Sequence, residues 1–136
     1  MSRFPSDRHI SKWAGLCPGN NESAGKRKSG KTAKGNNVLR TTLINCAHSA
    51  VKVKGSFFSA QFARISAHRG AKRAYVAVAH SMLIAIYHML STGEIFKDLG
   101  CNYYNQFNKE RKANNMLKKL KALGYEVTIA TVAVTA

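Results

Sequence analysis

The chain has 136 residues, 45% of them hydrophobic, which is enough for one modest core and too apolar for wholesale disorder. Its 22 Lys and Arg against 6 Asp and Glu leave a net charge of +16, and self-repulsion on that scale calls for a polyanionic partner. Nucleic acid is the first candidate and an anionic membrane surface the second.

In chain order, Ser6 is placed to cap a short first helix, Asp7 to about Ala14, which Gly15 ends. Gly15 to Gly35 holds five glycines and Pro18 and is expected to be a long loop, of the kind that carries function. Asn36 or Asn37 caps a second helix, with Leu39, Leu43, Cys46, Ala47 and Ala50 on its inner face. Gly55 breaks it, and Ser56 caps a third helix from Phe57 to about Arg69, striped by Phe58, Phe62 and Ile65.

Gly70 separates that helix from Ala71–Ser91, which is apolar nearly all round and expected to be central. Its apolar run, Ala74 to Leu90, contains His80, Ser81 and His88 and is shorter than the roughly 20 apolar residues of a spanning helix, so a buried core helix is expected rather than a membrane segment. A weaker patch follows from Glu94 to Tyr104. The next helix runs from about Asn105 to Leu123, with Phe107, Ala113, Leu117, Leu120 and Leu123 inside and Lys109, Arg111, Lys112, Lys118, Lys119 and Lys121 outside. Gly124 stands at its C-cap position. Tyr125 to Val134 is rich in β-branched residues and reads as a strand with no partner, or as an extended tail. The expected fold is therefore mainly α: a small bundle of about five helices, residues 36–123, with a long basic loop at 15–35 and a C-terminal strand or tail at 125–136.

No signal peptide opens the sequence, and Cys17, Cys46 and Cys101 are odd in number and in no CxxC spacing. They read as reduced thiols of a cytoplasmic protein.

The chemistry concentrates in the loop. Lys26, Arg27, Lys28, Lys31 and Lys34 bring five positive charges and no acid, interleaved with Ser29, Gly30 and Thr32, and Asn36 and Arg40 open the following helix. Cations, hydroxyls and a helix start suit phosphate oxygens. Gly25 to Thr32 also spells GxxxxGK[ST], a nucleotide-binding pattern. It works only when a buried strand feeds the loop and a helix begins at the Lys-Thr. Here the upstream residues are turn-like and Gly35 interrupts any helix soon after Thr32, so a nucleic-acid backbone is the better ligand. A solvated linker with incidental charge is the bland alternative.

His9, His48, His68, His80 and His88 have no metal-ligand spacing. Of the six acids, only Glu94 and Asp98 are helically close, so no two-metal nuclease site is expected in this chain. Trp13 and Phe107 are expected in the core, and Tyr103 and Tyr104 remain open as stacking residues.

An ordered series of motifs carries a resemblance: Phe4-Pro5-Ser6, His9-Ile10, Trp13-Ala14-Gly15-Leu16-Cys17-Pro18, Glu22-Ser23-Ala24-Gly25, Lys34-Gly35-Asn36, and Leu39-Arg40-Thr41-Thr42-Leu43. Lys72 to Ala79, Leu117 to Leu120 and Gly124 to Thr128 continue it. The chain resembles the C-terminal domain of bacterial insertion-sequence transposases of the 110/116/902 group, relatives of Piv-type DNA invertases.

The resemblance implies DNA transposition by an enzyme that joins an N-terminal RuvC-like domain, with four metal-binding acids, to a C-terminal domain supplying a serine nucleophile. A structured guide RNA selects the sites. The matching serine is Ser23. Lys26, Arg27, Lys28, Lys31 and Arg40 would then steady the phosphorane charge. The divalent metal, Mg, would belong to the RuvC-like domain, with none bound by this chain. The full-length form would be a homo-oligomer acting at the nucleoid, without a membrane. The sequence lacks the RuvC-like part, so the isolated chain is expected to bind DNA or RNA without transferring strands. The alternative is an inactive relic that serves only as a basic DNA- or RNA-binding module.

Overall fold

A computed structural model describes residues 3–19, 21–106 and 109–127. Two compact units are present, Met1–Asn102 and Tyr103–Ala136.

In the first unit α1 spans Asp7–Trp13, α2 Asn37–Ala50, α3 Phe57–Arg69 and α4 Ala71–Thr92. The starts follow from their caps. The Asn36 side chain accepts from the Leu39 N–H at 3.0 Å, and the Ser56 hydroxyl accepts from the Ser59 N–H at 3.1 Å, each satisfying a backbone donor that the first turn leaves open. Gly70 at φ 80° ends α3 and starts α4, and Gly93 at φ 76° ends α4 in the left-handed conformation.

By length and composition α4 could cross a membrane. Here it is the hub on which α1, α2 and α3 pack. Ala74, Val78, Ala79 and Leu83 form its buried stripe, and Ile10, Ala14, Leu16, Leu43 and Ala47 meet that face. Each fully buried Leu or Val removes enough apolar surface from water to contribute about 2 kcal/mol. Phe58, Phe62 and Tyr75 seal one flank, and the Gln61 amide donates to the Ser81 hydroxyl at 2.8 Å.

The mainly α fold stands as expected, with three local corrections. The stretch from Gly15 to Gly35 is a β-ribbon rather than an irregular loop: β1 (Asn21–Ser23) and β2 (Lys26–Ser29) pair antiparallel within it. Cys46 is exposed, because the inner stripe of α2 runs Leu39, Leu43, Ala47, Val51 and leaves position 46 at its margin. Trp13 is 49% exposed, against its expected core position, while packing on the Phe4 ring at 5.4 Å.

In the second unit the described residues are helical over α5 (Tyr103–Gln106) and α6 (Lys109–Ala122), within the stretch where a helix from about Asn105 to Leu123 was expected. Gly124 at φ 87° closes α6: its N–H donates to the Lys121 carbonyl and the Tyr125 N–H to the Leu120 carbonyl. Residues 125–127 form no strand; 128–136 of the expected strand, and Phe107, lie outside the described residues.

Candidate nucleic-acid interface

The ribbon is built from its base. Two glycine backbones cross there: a methyl group on Gly35 would sit 2.3 Å from the Gly15 nitrogen and 2.5 Å from the Trp13 carbonyl oxygen. No side chain fits, so the chain entering from α1 and the chain leaving for α2 lie in direct contact. The Asn36 N–H donates to Trp13 O at 3.0 Å, the Ala33 N–H to Cys17 O at 3.4 Å and the Gly19 N–H to Lys31 O at 2.8 Å, with Pro18 bridged to Thr32. The two arms thus form a ladder in the middle of what composition reads as coil.

Beyond the ladder, Ser23 faces Lys26 and Glu22 faces Arg27 in the hairpin register. The tip is the two-residue turn Ala24–Gly25, at φ 51° and 72°. Left-handed values at both central positions match the right-handed twist of the strands. Ala24 adopts them with a Cβ, a strain of about 1 kcal/mol.

This geometry places the candidate residues. Ser23 is exposed at the end of β1, directly before the turn, and Lys26 is exposed opposite it. Cross-strand partners share a face, with Cβ atoms about 5 Å apart, so the Lys26 ammonium reaches any anion seated on the Ser23 hydroxyl. Strand alternation sends Glu22 to the other face. Arg27 and Lys28 lie within β2. The Ser29 hydroxyl accepts from the Lys31 N–H at 3.2 Å, which turns the chain back toward the base. Lys31 and Lys34 are exposed on the returning arm, and Arg40 is half-buried in α2. The Asn36 side-chain oxygen is engaged in capping α2, leaving its amide nitrogen for an outside acceptor.

The nucleotide-binding pattern is not a nucleotide cradle here. Lys26–Ser29 are extended and paired to β1, and α2 begins at Asn37 instead of Lys31. A phosphate cradle needs those backbone N–H groups curled around one centre.

The arm is tied to the bundle by Cys17, whose sulfur lies 3.8 Å from Nε2 of His80 on α4. Burial pushes the Cys17 thiol above its ordinary 9.0, helped by Asp7 and opposed by Lys12. Burial also holds His80 below its ordinary 6.5, with Asp7 acting in the opposite sense. Both groups are therefore neutral near pH 7, and either the thiol or the imidazole Nε2 can supply the shared hydrogen, according to the His80 tautomer. A neutral pair of this kind fastens the arm and does not generate a thiolate nucleophile.

Among the described residues no group of three or more His, Cys, Asp or Glu is gathered to hold a metal ion. Sequence reasoning missed the Gly15–Gly35 crossing, the Ser23–Lys26 pairing and the exposure of Trp13. The Ala24–Gly25 pair flanked by polar strands was the available signal for the hairpin.

Residues 1–63 match the family model described as the Transposase IS116/IS110/IS902 family, which supports membership of that transposase group and implies DNA as a partner. No curated protein and no solved structure matches the chain.

Proposed function

We propose that this chain, whose residues 1–63 match the IS116/IS110/IS902 transposase family model, grips DNA with its basic ribbon and contributes Ser23 as the nucleophile of strand cleavage and exchange. The observation that carries the reading is the Ser23–Lys26 pair beside the turn of the ribbon: an exposed hydroxyl, with a cation on the same face. As the Ser23 Oγ–P bond forms, a P–O bond of the DNA backbone breaks. Lys26, Lys31 and Arg40 offset the negative charge that builds on phosphorus in between. The serine proton passes to a base from a partner RuvC-like domain, since Glu22 alternates to the opposite face of β1.

The described residues do not assemble the donors a divalent metal requires. The divalent metal, Mg, would belong to that partner domain, as the family resemblance implies. A guide RNA and a homo-oligomeric full-length enzyme complete the proposal.

The test is recombination by the chain reconstituted with a RuvC-like half, comparing Ser23→Ala with the parent, alongside DNA binding by each. Abolished recombination with retained binding supports the reading. Unimpaired recombination removes Ser23 as nucleophile and leaves the basic binding module as the function.

A further inference from the structure

The ribbon is not the only place where positive charge goes unanswered. No Asp or Glu occurs between Glu22 and Glu94, and most cations of that stretch fall at two places. One is the ribbon. The other is the corner where α2 ends, α3 ends and α4 begins.

Four contacts fix this corner relative to the ribbon. Late in α2, the His48 ring stacks on Tyr75, early in α4, with centroids 3.6 Å apart. At the other end the Tyr87 hydroxyl, late in α4, donates to Phe4 O; Phe4 packs on Trp13, and Trp13 O accepts from Asn36, the cap of α2. The two helices therefore run antiparallel. The ribbon returns into the start of α2, and the corner lies past its end. Fourteen residues of α2 separate them, about 20 Å at 1.5 Å per residue.

Lys52 follows α2, Arg69 closes α3, and Lys72 and Arg73 open α4; all four are exposed, and no ion pair among the described residues neutralises them. Arg69 has a bland explanation, because a cation in a last helical turn is favourable. Lys72 and Arg73 have none. They occupy the first turn of a 22-residue helix that carries no acid there and no side-chain cap, where the helix dipole repels cations. The arrangement costs stability in the free protein, and an anion supplied from outside would offset that cost.

We propose that Lys52, Arg69, Lys72 and Arg73, around the His48–Tyr75 stack, form a second contact surface for the phosphate backbone of a DNA duplex, separate from the ribbon. This rests on the nucleic-acid reading above and extends it from one contact to two. About 20 Å corresponds to roughly six base-pair steps of 3.4 Å, a separation that one duplex of modest length can span.

The experiment is the salt dependence of binding to a duplex of about 30 base pairs for four proteins: the parent, K52Q/K72Q/R73Q, K26Q/K31Q/K34Q and the combined variant. Each phosphate that the protein no longer neutralises lowers the slope of log K against log salt by about 0.9. The slope of the corner variant is expected to fall by two to three units, and that of the combined variant by the sum of both decreases. The corner variant's melting temperature is expected to match or exceed the parent's, because two cations leave a helix N-terminus. An unchanged slope for the corner variant overturns the proposal. So does a combined decrease no larger than the ribbon variant's, or a fall in affinity matched by a fall in melting temperature. A ribbon variant with unchanged slope refutes the ribbon reading alone and leaves the corner standing.

Discussion

Gly35 lies against Gly15 with no room for a β-carbon between them, and this backbone contact turns a glycine-rich basic stretch into a defined arm. Everything proposed for Ser23 depends on it, because the crossing sets where the tip stands relative to α2. Gly35→Ala is expected to push the two arms apart at the base and to cost about 2–3 kcal/mol, as overpacking against unyielding backbone does. Gly25→Ala meets nothing within 4 Å and carries only its φ of 72° as a penalty, so it is expected to cost about 1 kcal/mol. Chemical denaturation of the two variants checks the order; equal costs would mean that the crossing is not tight in solution.

At the tip, Ala24 holds a left-handed backbone with φ 51°. Ala24→Gly removes the clash of its Cβ and is expected to stabilise the chain by about 0.5–1 kcal/mol, less whatever the freer unfolded chain takes back. Thermal unfolding reads this directly. A clear loss of stability would show that the turn is not of the mirror-image kind.

The Cys17–His80 tether predicts a pH window. His80 titrates lower in the folded protein than in the unfolded chain, so its contribution is present above 6.5 and is lost as pH falls through the depressed folded value. Cys17 titrates higher when folded, so its contribution is present below 9.0 and is lost as pH rises through the raised value. Stability from this pair is therefore greatest between about pH 6.5 and 9. Melting temperature against pH is expected to fall on both sides, and Cys17→Ala is expected to lessen the alkaline fall specifically. An identical alkaline limb in Cys17→Ala would show that the thiol is not buried against His80.

Trp13 is the chain's one tryptophan and stands half-exposed beside the ribbon base, where its carbonyl accepts from Asn36. Under the proposed function, duplex DNA held by the arm would change the solvent around that indole. Its emission is expected to shift during a DNA titration, with the midpoint moving to higher DNA concentration in K26Q/K31Q/K34Q. Emission unaltered at saturating DNA would place the duplex away from the ribbon base.

The helices were legible because their signals are local. Asn36 and Ser56 are cap residues followed by periodic apolar stripes, and Gly70, Gly93 and Gly124 end helices by adopting positive φ. The ribbon was not, because its strands, Asn21–Ser23 and Lys26–Ser29, contain no β-branched or aromatic residue, and Glu22, Ser23 and Lys26 are exposed. What makes them strands is a contact between glycines twenty positions apart, and no local pattern records it. Cys46 and Trp13 were misplaced for a related reason: each has the composition of a core residue, and only packing against α4 decides which stripe is covered. Ser23 itself was reached through its motif context, while its facing Lys26 became visible only with the register.

The central claim is a covalent one, and its most direct test is the mass of a peptide. Trypsin cuts after Lys12 and Lys26, and between those sites Ser23 is the only residue with a hydroxyl side chain. The measurement is mass spectrometry of the reconstituted protein, trapped on a DNA substrate during strand exchange and digested with nuclease and trypsin. The account predicts a nucleotide-derived mass on Trp13–Lys26, at Ser23, and its absence in Ser23→Ala. An adduct on any other peptide, or strand exchange that proceeds with none on this one, would contradict it.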